Sequence, residues 1–408
     1  MIRRREFVEC LAGASVVLGT EGCLSCRGSD AGLPAWRPGE LEIHLIHTGV
    51  GEQSFLRFPD GTTMLVDCGH VVRKPQYVSE IPPMPNGSRT GGEWTRRYLE
   101  RLMDSREIDY LMVTHWHDDH TMGIPDVARS FSFRRFLDHQ HPNRRRFWRD
   151  AEDTGFAAVM DWLGKAKAAG TEEMAFAVGA RNQIVLSHDA EGRFADSFEI
   201  RNIAANGVVW DGKDGTRDCA AEHVRTTGIP RVPENMLSSA IRIRYGAFTY
   251  FTGGDIEREF KDAEGRTYSY EGLVGSFVGP VDVCKMNHHG YWNAMKEPFV
   301  RAVRPRVYLS STWSTEQVND RNLPIMTSRD LYPGERDVYP GWMPPSCRRS
   351  YAGRPFMGDI APAQGHTVVK VAPGGASYSV FVIDPSDEDM RVVYRKDYFA
   401  ARRAERAF

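Results

Sequence analysis

The sequence predicts an α/β fold whose strands end in polar loops, and three stretches carry that prediction. Residues 108–113 are an apolar, strand-like run that leads directly into His115-Trp116-His117-Asp118-Asp119-His120. Residues 248–255 repeat the arrangement, with a strand running into Thr252-Gly253-Gly254-Asp255. Residues 281–290 do so again, Val281-Asp282-Val283-Cys284-Lys285-Met286 leading to Asn287-His288-His289-Gly290. A buried strand is rigid, and the loop at its end can aim several side chains at one point. Three histidines and two carboxylates within six residues are hard to explain as packing. Neutral imidazole and carboxylate are the donors that Zn²⁺, Mn²⁺ and iron prefer.

The chain begins with Arg3-Arg4-Arg5-Glu6-Phe7-Val8 and an apolar, small-residue stretch at 11–19, too short to span a bilayer. Arg4-Arg5-x-Phe7-Val8 resembles a twin-arginine export signal, so a periplasmic or cell-surface address is expected. Cys23 or Cys26 is the candidate lipid-anchored residue, the one expected membrane association, although Glu21 fits a lipidation site poorly. Residues 27–40 are rich in Gly and Pro and read as a tether. The expected division is 1–37 export signal and tether, 38–315 catalytic domain, and 316–408 a loop region and hairpin packed on it.

Strands are expected at 41–47, 54–58 and 62–66, with Pro59-Asp60-Gly61 as a turn. Residues 70–92 are a Pro-rich insertion. Trp94, Tyr98, Leu99 and Leu102 fall at helical spacing, predicting a helix over 93–103 before the motif strand. A strand at 131–137 ends near His139 and His141, which read as cleft wall or surface. Arg144-Arg145-Arg146-Phe147-Trp148-Arg149 reads as a solvated loop with aromatics tucked inward. Residues 154–180 are Ala-rich and helical, strands follow at 184–186 and 198–203, and 205–233 is a polar surface loop. Residues 234–255 form a hairpin, 303–309 a strand, and 314–364 a long loop region over the cleft. The strands 366–371 and 377–383 close the chain around Pro373-Gly374-Gly375, with a short strand at 392–394 and a frayed helix at 399–406.

Net charge is −2, so no global field points to nucleic acid or membrane. The sequence has no serine-nucleophile elbow, phosphate-cradling Gly loop or dinucleotide fingerprint. Cys68 and Cys284 sit in apolar strand contexts, where a small buried hydrophobe is expected.

His115-x-His117-x-Asp119-His120 resembles the His-x-His-x-Asp-His signature of the metallo-β-lactamase superfamily, and the resemblance spans 41–315. It implies a four-layer αββα sandwich with a dinuclear metal site at one edge. The opening, Gly49-x-Gly51 through Leu65-Val66-Asp67-x-Gly69, is similar to the hydrolase domain of bacterial DNA-uptake (competence) channel proteins and their secreted relatives. The resemblance implies two divalent ions, zinc or alternatively manganese. His115 and His117 would hold the first, Asp119 and His120 the second, and Asp255 would bridge them. His288 is the implied last ligand, with His289 behind it or touching the transition state, and the reverse assignment stays open. Asp67 would support the ligands, and Asp119, His289 and Asp67 are the implied catalytic set. Many family enzymes carry a further histidine where Asn235 stands, and the nearest upstream histidine is His223.

The function so implied is an exported dinuclear hydrolase, a phosphodiesterase or nuclease-like enzyme. Its substrate would be a small-molecule or nucleic-acid phosphodiester, with no stable nucleic-acid partner. The alternatives are a hydrolase of another ester, lactone or lactam, or a cell-surface binding module with the fold and little catalysis.

Overall fold

A computed structural model of the protein describes residues 32–71, 80–140, 154–261 and 264–401. The export signal with Arg4, Arg5, Cys23 and Cys26, the cluster at 144–149, His141 and most of the expected terminal helix lie outside the described residues.

The first half contributes β1 (Leu41–Leu45), β2 (Ser54–Arg57), β3 (Thr63–Val66), β4 (Glu107–Met112), β5 (Ser132–Asp138) and β6 (Glu172–Ala175). The second contributes β7 (Phe198–Ala205), β8 (Val208–Trp210), β9 (Thr216–Asp218), β10 (Ala240–Tyr245) and β11 (Phe248–Thr252). A small hairpin, β12 (Glu259–Lys261) with β13 (Thr267–Ser269), precedes β14 (Val283–Lys285), β15 (Val307–Leu309) and β16 (Asp337–Tyr339). The chain closes with β17 (His366–Val371), β18 (Ser377–Ile383) and β19 (Val392–Phe399).

Two large sheets result. One runs β19-β18-β17-β1-β2-β3-β4-β5-β6 and the other β16-β15-β14-β11-β10-β7-β8-β9. The alternation of side chains along each strand divides the core into layers. Tyr110 and Met112 of β4 meet Ile241, Ile243, Tyr250 and Val283 of the opposite sheet. Leu111, with Val113 beyond it, faces outward onto Tyr98 and Leu99 of the helix Gly91–Leu102. On the second sheet Cys284 and Tyr308 face outward against Val274, Phe299 and Val300 of the helices Tyr270–Val278 and Glu297–Val303. Each sheet is thus covered on both faces, giving the four-layer αββα sandwich. The parallel runs β3-β4-β5-β6 and β11-β14-β15-β16 need that cover.

The helix at 91–102 starts earlier than its apolar spacing suggests because Thr90 and Glu93 form a reciprocal cap. The Ala-rich segment is helical over Thr154–Ala168 only, and Glu172–Ala175 becomes an edge strand. No strand forms at 184–186: the Val185 amide donates to the Tyr110 hydroxyl and the Ser187 amide to Thr62 Oγ1 instead. The expected loop at 205–233 contains β8, β9 and a helix, Cys219–Thr227. The expected loop region at 314–364 contains β16 and short helices such as Pro345–Tyr351. β19 reaches Phe399, where a helix was expected to begin, because it pairs with β18 along its full length. Cys68, Cys219, Cys284 and Cys347 are free thiols, and the first three are buried. No helix among the described residues is long and apolar enough to cross a membrane.

Candidate metal centre

Three strand ends and one loop converge at one edge of the sandwich. After β4 the chain passes Thr114 and turns into the short helix Asp118–Thr121. The loop between β1 and β2 is stitched to that turn: the Glu52 amide donates to Asp119 O at 2.8 Å, and the Gly69 amide donates to Glu52 O at 3.0 Å. A Cβ on Gly69 would fall 1.6 Å from Asp119 O, so the close approach requires glycine there. Gly254 has φ of 54° and its missing Cβ would meet Thr114 Oγ1 at 2.6 Å. That glycine turns Asp255 into the cluster. After β14, His288 and His289 adopt left-handed conformations, φ 46° and 52°. Asn287 Nδ2 and the amides of Met295 and Lys296 donate to buried Glu271, fixing this loop. Burial pushes the Glu271 carboxyl up to about 7.

Asp255 is the centre of the arrangement. Its Oδ1 lies 3.2 Å from His120 Nε2, and its Oδ2 lies 3.4 Å from His289 Nε2, 3.7 Å from His288 Nε2 and 3.8 Å from His115 Nε2. Asp119 Oδ2 is 2.9 Å from His289 Nε2 and 3.5 Å from His120 Nε2. His117 Nδ1 is 3.0 Å from His115 Nε2. The sequence-predicted residues His115, His117, Asp119, His120, Asp255 and His288 therefore lie around one point. His289 lies there too, fully buried and nearer to Asp255 than His288 is.

The other ring nitrogens are tied back. His120 Nδ1 donates to Asp67 Oδ2 at 2.8 Å, His289 Nδ1 to the Ser311 carbonyl at 3.1 Å, and His288 Nδ1 to Asn293 Oδ1 at 2.8 Å. Each bond fixes a tautomer that leaves the Nε2 lone pair facing Asp255. Asp67, itself at φ 59°, accepts from the Thr114 amide and hydroxyl, both at 2.7 Å.

Glu52 is a residue that sequence reasoning missed. Glu52, His120, Asp255 and His289 each offer one ligand atom within 4.8 Å of the others. The contacts nevertheless place Glu52 behind His289. Its Oε2 lies 2.9 Å from Nδ1, the nitrogen turned away from Asp255, and its Oε1 pairs with Lys285 Nζ at 2.7 Å. Asp119, against Nε2, is the better placed fourth donor. Trp313 was also missed: its indole N–H donates to Asp119 Oδ2 at 3.0 Å. Glu52 had a signal, its place after the quoted Gly49-x-Gly51. Trp313 had none.

The donor set fits divalent cations. Asp255 Oδ1 is buried and accepts no hydrogen bond. His120 Nε2 and His289 Nε2 face each other at 3.3 Å, two ring nitrogens converging on one space. The field there favours positive charge. Burial opposes protonation of His120, yet Asp255, Asp119 and Asp67 lift it well above the ordinary histidine range. Burial likewise opposes it on His289, and Asp255 and Glu52 prevail. Asp119 and Asp255 are held well below the carboxylate range despite burial, chiefly by His120 and His289. Burial, then the neighbouring His120, pushes His115 well down. A bound cation would exploit the same field and displace the protons.

A cleft of about 690 Å³ opens beside the cluster, lined by His117, Asp119, Asn235, Glu257 and Arg258 among others. His139, expected at the cleft wall or surface, is instead buried behind that wall, where its Nε2 meets Glu234 Oε1 at 3.0 Å. His223 packs edge-on against Phe260, ring centroids 5.3 Å apart, and takes no part in the cluster.

The chain is similar in part to known proteins. A family model of the metallo-beta-lactamase superfamily matches residues 48–156, which supports membership of that superfamily. Among solved structures the chain is similar to CmlA, a diiron beta-hydroxylase from Streptomyces venezuelae, at 16% identity and TM-score 0.37, over 72% of this chain and 50% of that one. It thus spans half the length of that protein. It is also similar to Igni18, a metallo hydrolase from Ignicoccus hospitalis, at 12% identity and TM-score 0.38, over 75% of this chain and 96% of that one. A diphosphatase from the PhnP family matches at 10% identity and TM-score 0.34, over 81% and 97% of the two chains. No curated protein matches the chain.

Proposed function

We propose that this protein is a metal-dependent hydrolase with a dinuclear centre that cleaves phosphodiesters. The observation that carries the reading is Asp255, whose Oδ1 faces His120 and whose Oδ2 faces His115, His288 and His289. His115, His117 and His288 would hold one cation, and Asp119, His120 and His289 the other, with Asp255 shared. His288 thereby supplies the imidazole that Asn235 lacks; Asn235 Nδ2 stands 3.5 Å from His288 Nε2. Zinc suits this set of donors and manganese is the alternative. Divalent ions bound there supply Lewis acidity and an acidified water. The chain's own residues do the rest. Asp67 and Glu52 orient His120 and His289, Trp313 holds Asp119, and the cleft wall positions the substrate. The likeness of 49–69 to DNA-uptake hydrolase domains supports phosphodiesters over lactams as substrates. Export is part of the proposal and rests on Arg4-Arg5-x-Phe7-Val8.

The test is hydrolysis of bis(p-nitrophenyl) phosphate with defined metals, alongside metal analysis. Wild type is expected to hold two equivalents and turn over; Asp255→Ala is expected to fall to background. His288→Ala and His289→Ala are each expected to lose one equivalent. Hydrolysis of lactones or lactams without phosphodiester cleavage removes the phosphodiester part and leaves the hydrolase. Absence of metal from wild type overturns both.

A further inference from the structure

Arg258 lies three residues beyond Asp255 and lines the cleft with His117, Asp119 and Asn235. Its φ is 111°, a conformation that residues with a Cβ rarely adopt. Strain of this kind persists only where the surroundings impose it, and it clusters at binding sites. The side chain is partly exposed, and its Nε is buried with no hydrogen-bond partner. Among the described residues the Arg258 guanidinium enters no ion pair, although carboxylates are close by in the wall. Those carboxylates are already engaged. Asp119 faces His289 and Trp313, Glu234 accepts from the Trp116 amide and meets His139 through Oε1, its Oε2 being buried without a partner, and Glu257 accepts from Asn293. Asp118 has a partner as well.

An unpaired guanidinium presents a fork of donors matched to an oxyanion, and it cannot shed its charge to escape partial burial. With Asp255 three residues away, an anion on Arg258 belongs to the substrate that the centre attacks. We propose that Arg258 holds a second phosphate of the substrate, one not under attack. The substrate class is then a nucleotide-like phosphodiester carrying one neighbouring phosphate. One unpaired arginine among engaged carboxylates fits one extra phosphate, and a net charge of −2 argues against a long polyanion. This inference rests on the phosphodiesterase reading above.

The experiment compares thymidine 5′-(p-nitrophenyl phosphate) with and without a 3′-phosphate, on the metal-loaded full chain. Wild type is expected to favour the 3′-phosphorylated ester about tenfold or more in kcat/KM, mainly through KM. Arg258→Ala is expected to bring that ratio near one, and Arg258→Lys to keep part of it. Equal rates for the two esters in wild type, or an unchanged ratio in Arg258→Ala, overturn the proposal. If wild type cleaves neither ester, the phosphodiesterase reading has failed, and calorimetry with thymidine 3′,5′-bisphosphate decides on Arg258 separately. A drop of tenfold or more in affinity in Arg258→Ala supports the subsite, and equal affinity overturns it. Arg258→Gly removes the same guanidinium but relieves φ, so it should lose the ratio yet melt above Arg258→Ala. Melting below Arg258→Ala would count against an imposed strain.

Discussion

The two imidazoles that face Asp255 most closely, His120 and His289, have carboxylates behind them of opposite kinds. Asp67 behind His120 is held by dipoles: the Thr114 amide and hydroxyl donate to it, and no lysine or arginine touches it among the described residues. Burial raises its pKa, and the contact with His120 only partly offsets that. Glu52 behind His289 is held by charge, because Lys285 Nζ sits 2.7 Å away and is itself fully buried. Burial alone would raise the Glu52 carboxyl, but Lys285 and His289 lower it. A cradle of dipoles leaves the Asp67 carboxyl raised by burial. An ionic cradle fixes the carboxylate as an anion and ties His289 to a lysine that also donates to Gly254 O at 2.9 Å.

The sharpest way to break this contrast is Lys285→Met. It strips Glu52 of its only buried lysine partner, leaving it against His289, and should cost about 3–5 kcal/mol in denaturant unfolding. Adding Glu52→Gln should recover much of that loss, and simple additivity would refute the pairing. Next in size are the supports themselves. Glu52→Gln and Asp67→Asn should each weaken metal binding by roughly 10–100-fold, read by competition with a chromophoric chelator. Asp67→Asn should leave global stability nearer to wild type than Lys285→Met does, because no buried lysine loses its partner and His120 keeps Asp119 and Asp255.

The same ionic device occurs away from the centre, which sharpens the contrast by separating support from chemistry. Glu42 accepts from Lys370 Nζ and lies 3.3 Å from His44 Nε2. Burial works against its charge, but His44 and Lys370 bring it down to about 2. A depressed carboxylate contributes stability that is present above its ordinary pKa of 4.5 and lost as pH falls toward 2. Glu42→Gln should therefore flatten the stability–pH curve in that window, by on the order of 3 kcal/mol, without changing metal content. His366 adds to the same acid side: burial, then His47 and His44, lower it to about 3, so stability falls as pH drops below the ordinary histidine value of 6.5. The smallest effect belongs to the surface. Arg97 and Glu388 pair through two contacts of 2.7 and 2.8 Å, yet both are partly exposed, and Arg97→Ala should cost about 1 kcal/mol or less by thermal unfolding.

Much of the centre was legible because its donors are local. His115, His117, Asp119 and His120 fall within one turn after one strand, so residue type and spacing pick them out, and Asp255, which follows another strand, was reached through the family resemblance. The order of three strands, a helix and a strand was legible for the same reason. What escaped notice depends on tertiary contact. Glu52 reaches His289 across the whole sandwich edge, and Trp313 meets Asp119 from a segment with no periodicity. The choice between His288 and His289 turns on two successive left-handed residues, which neither composition nor spacing reports. Short elements such as β8, β9 and β16 were lost because three residues carry too little alternation to stand out.

β1 has β2 on one side and, on the other, β17 from near the end of the chain, with Leu45 opposite Thr367. For a ribosome releasing this protein, the outer edge of its earliest strand stays unsatisfied until almost everything else has emerged. An open edge of that kind invites partners from other molecules, and long-range pairing of this sort closes slowly. The loop bearing Glu52 leaves from the end of that same strand, so the nascent chain reaches a competent constellation last. A product truncated before His366 should aggregate rather than persist as a smaller enzyme.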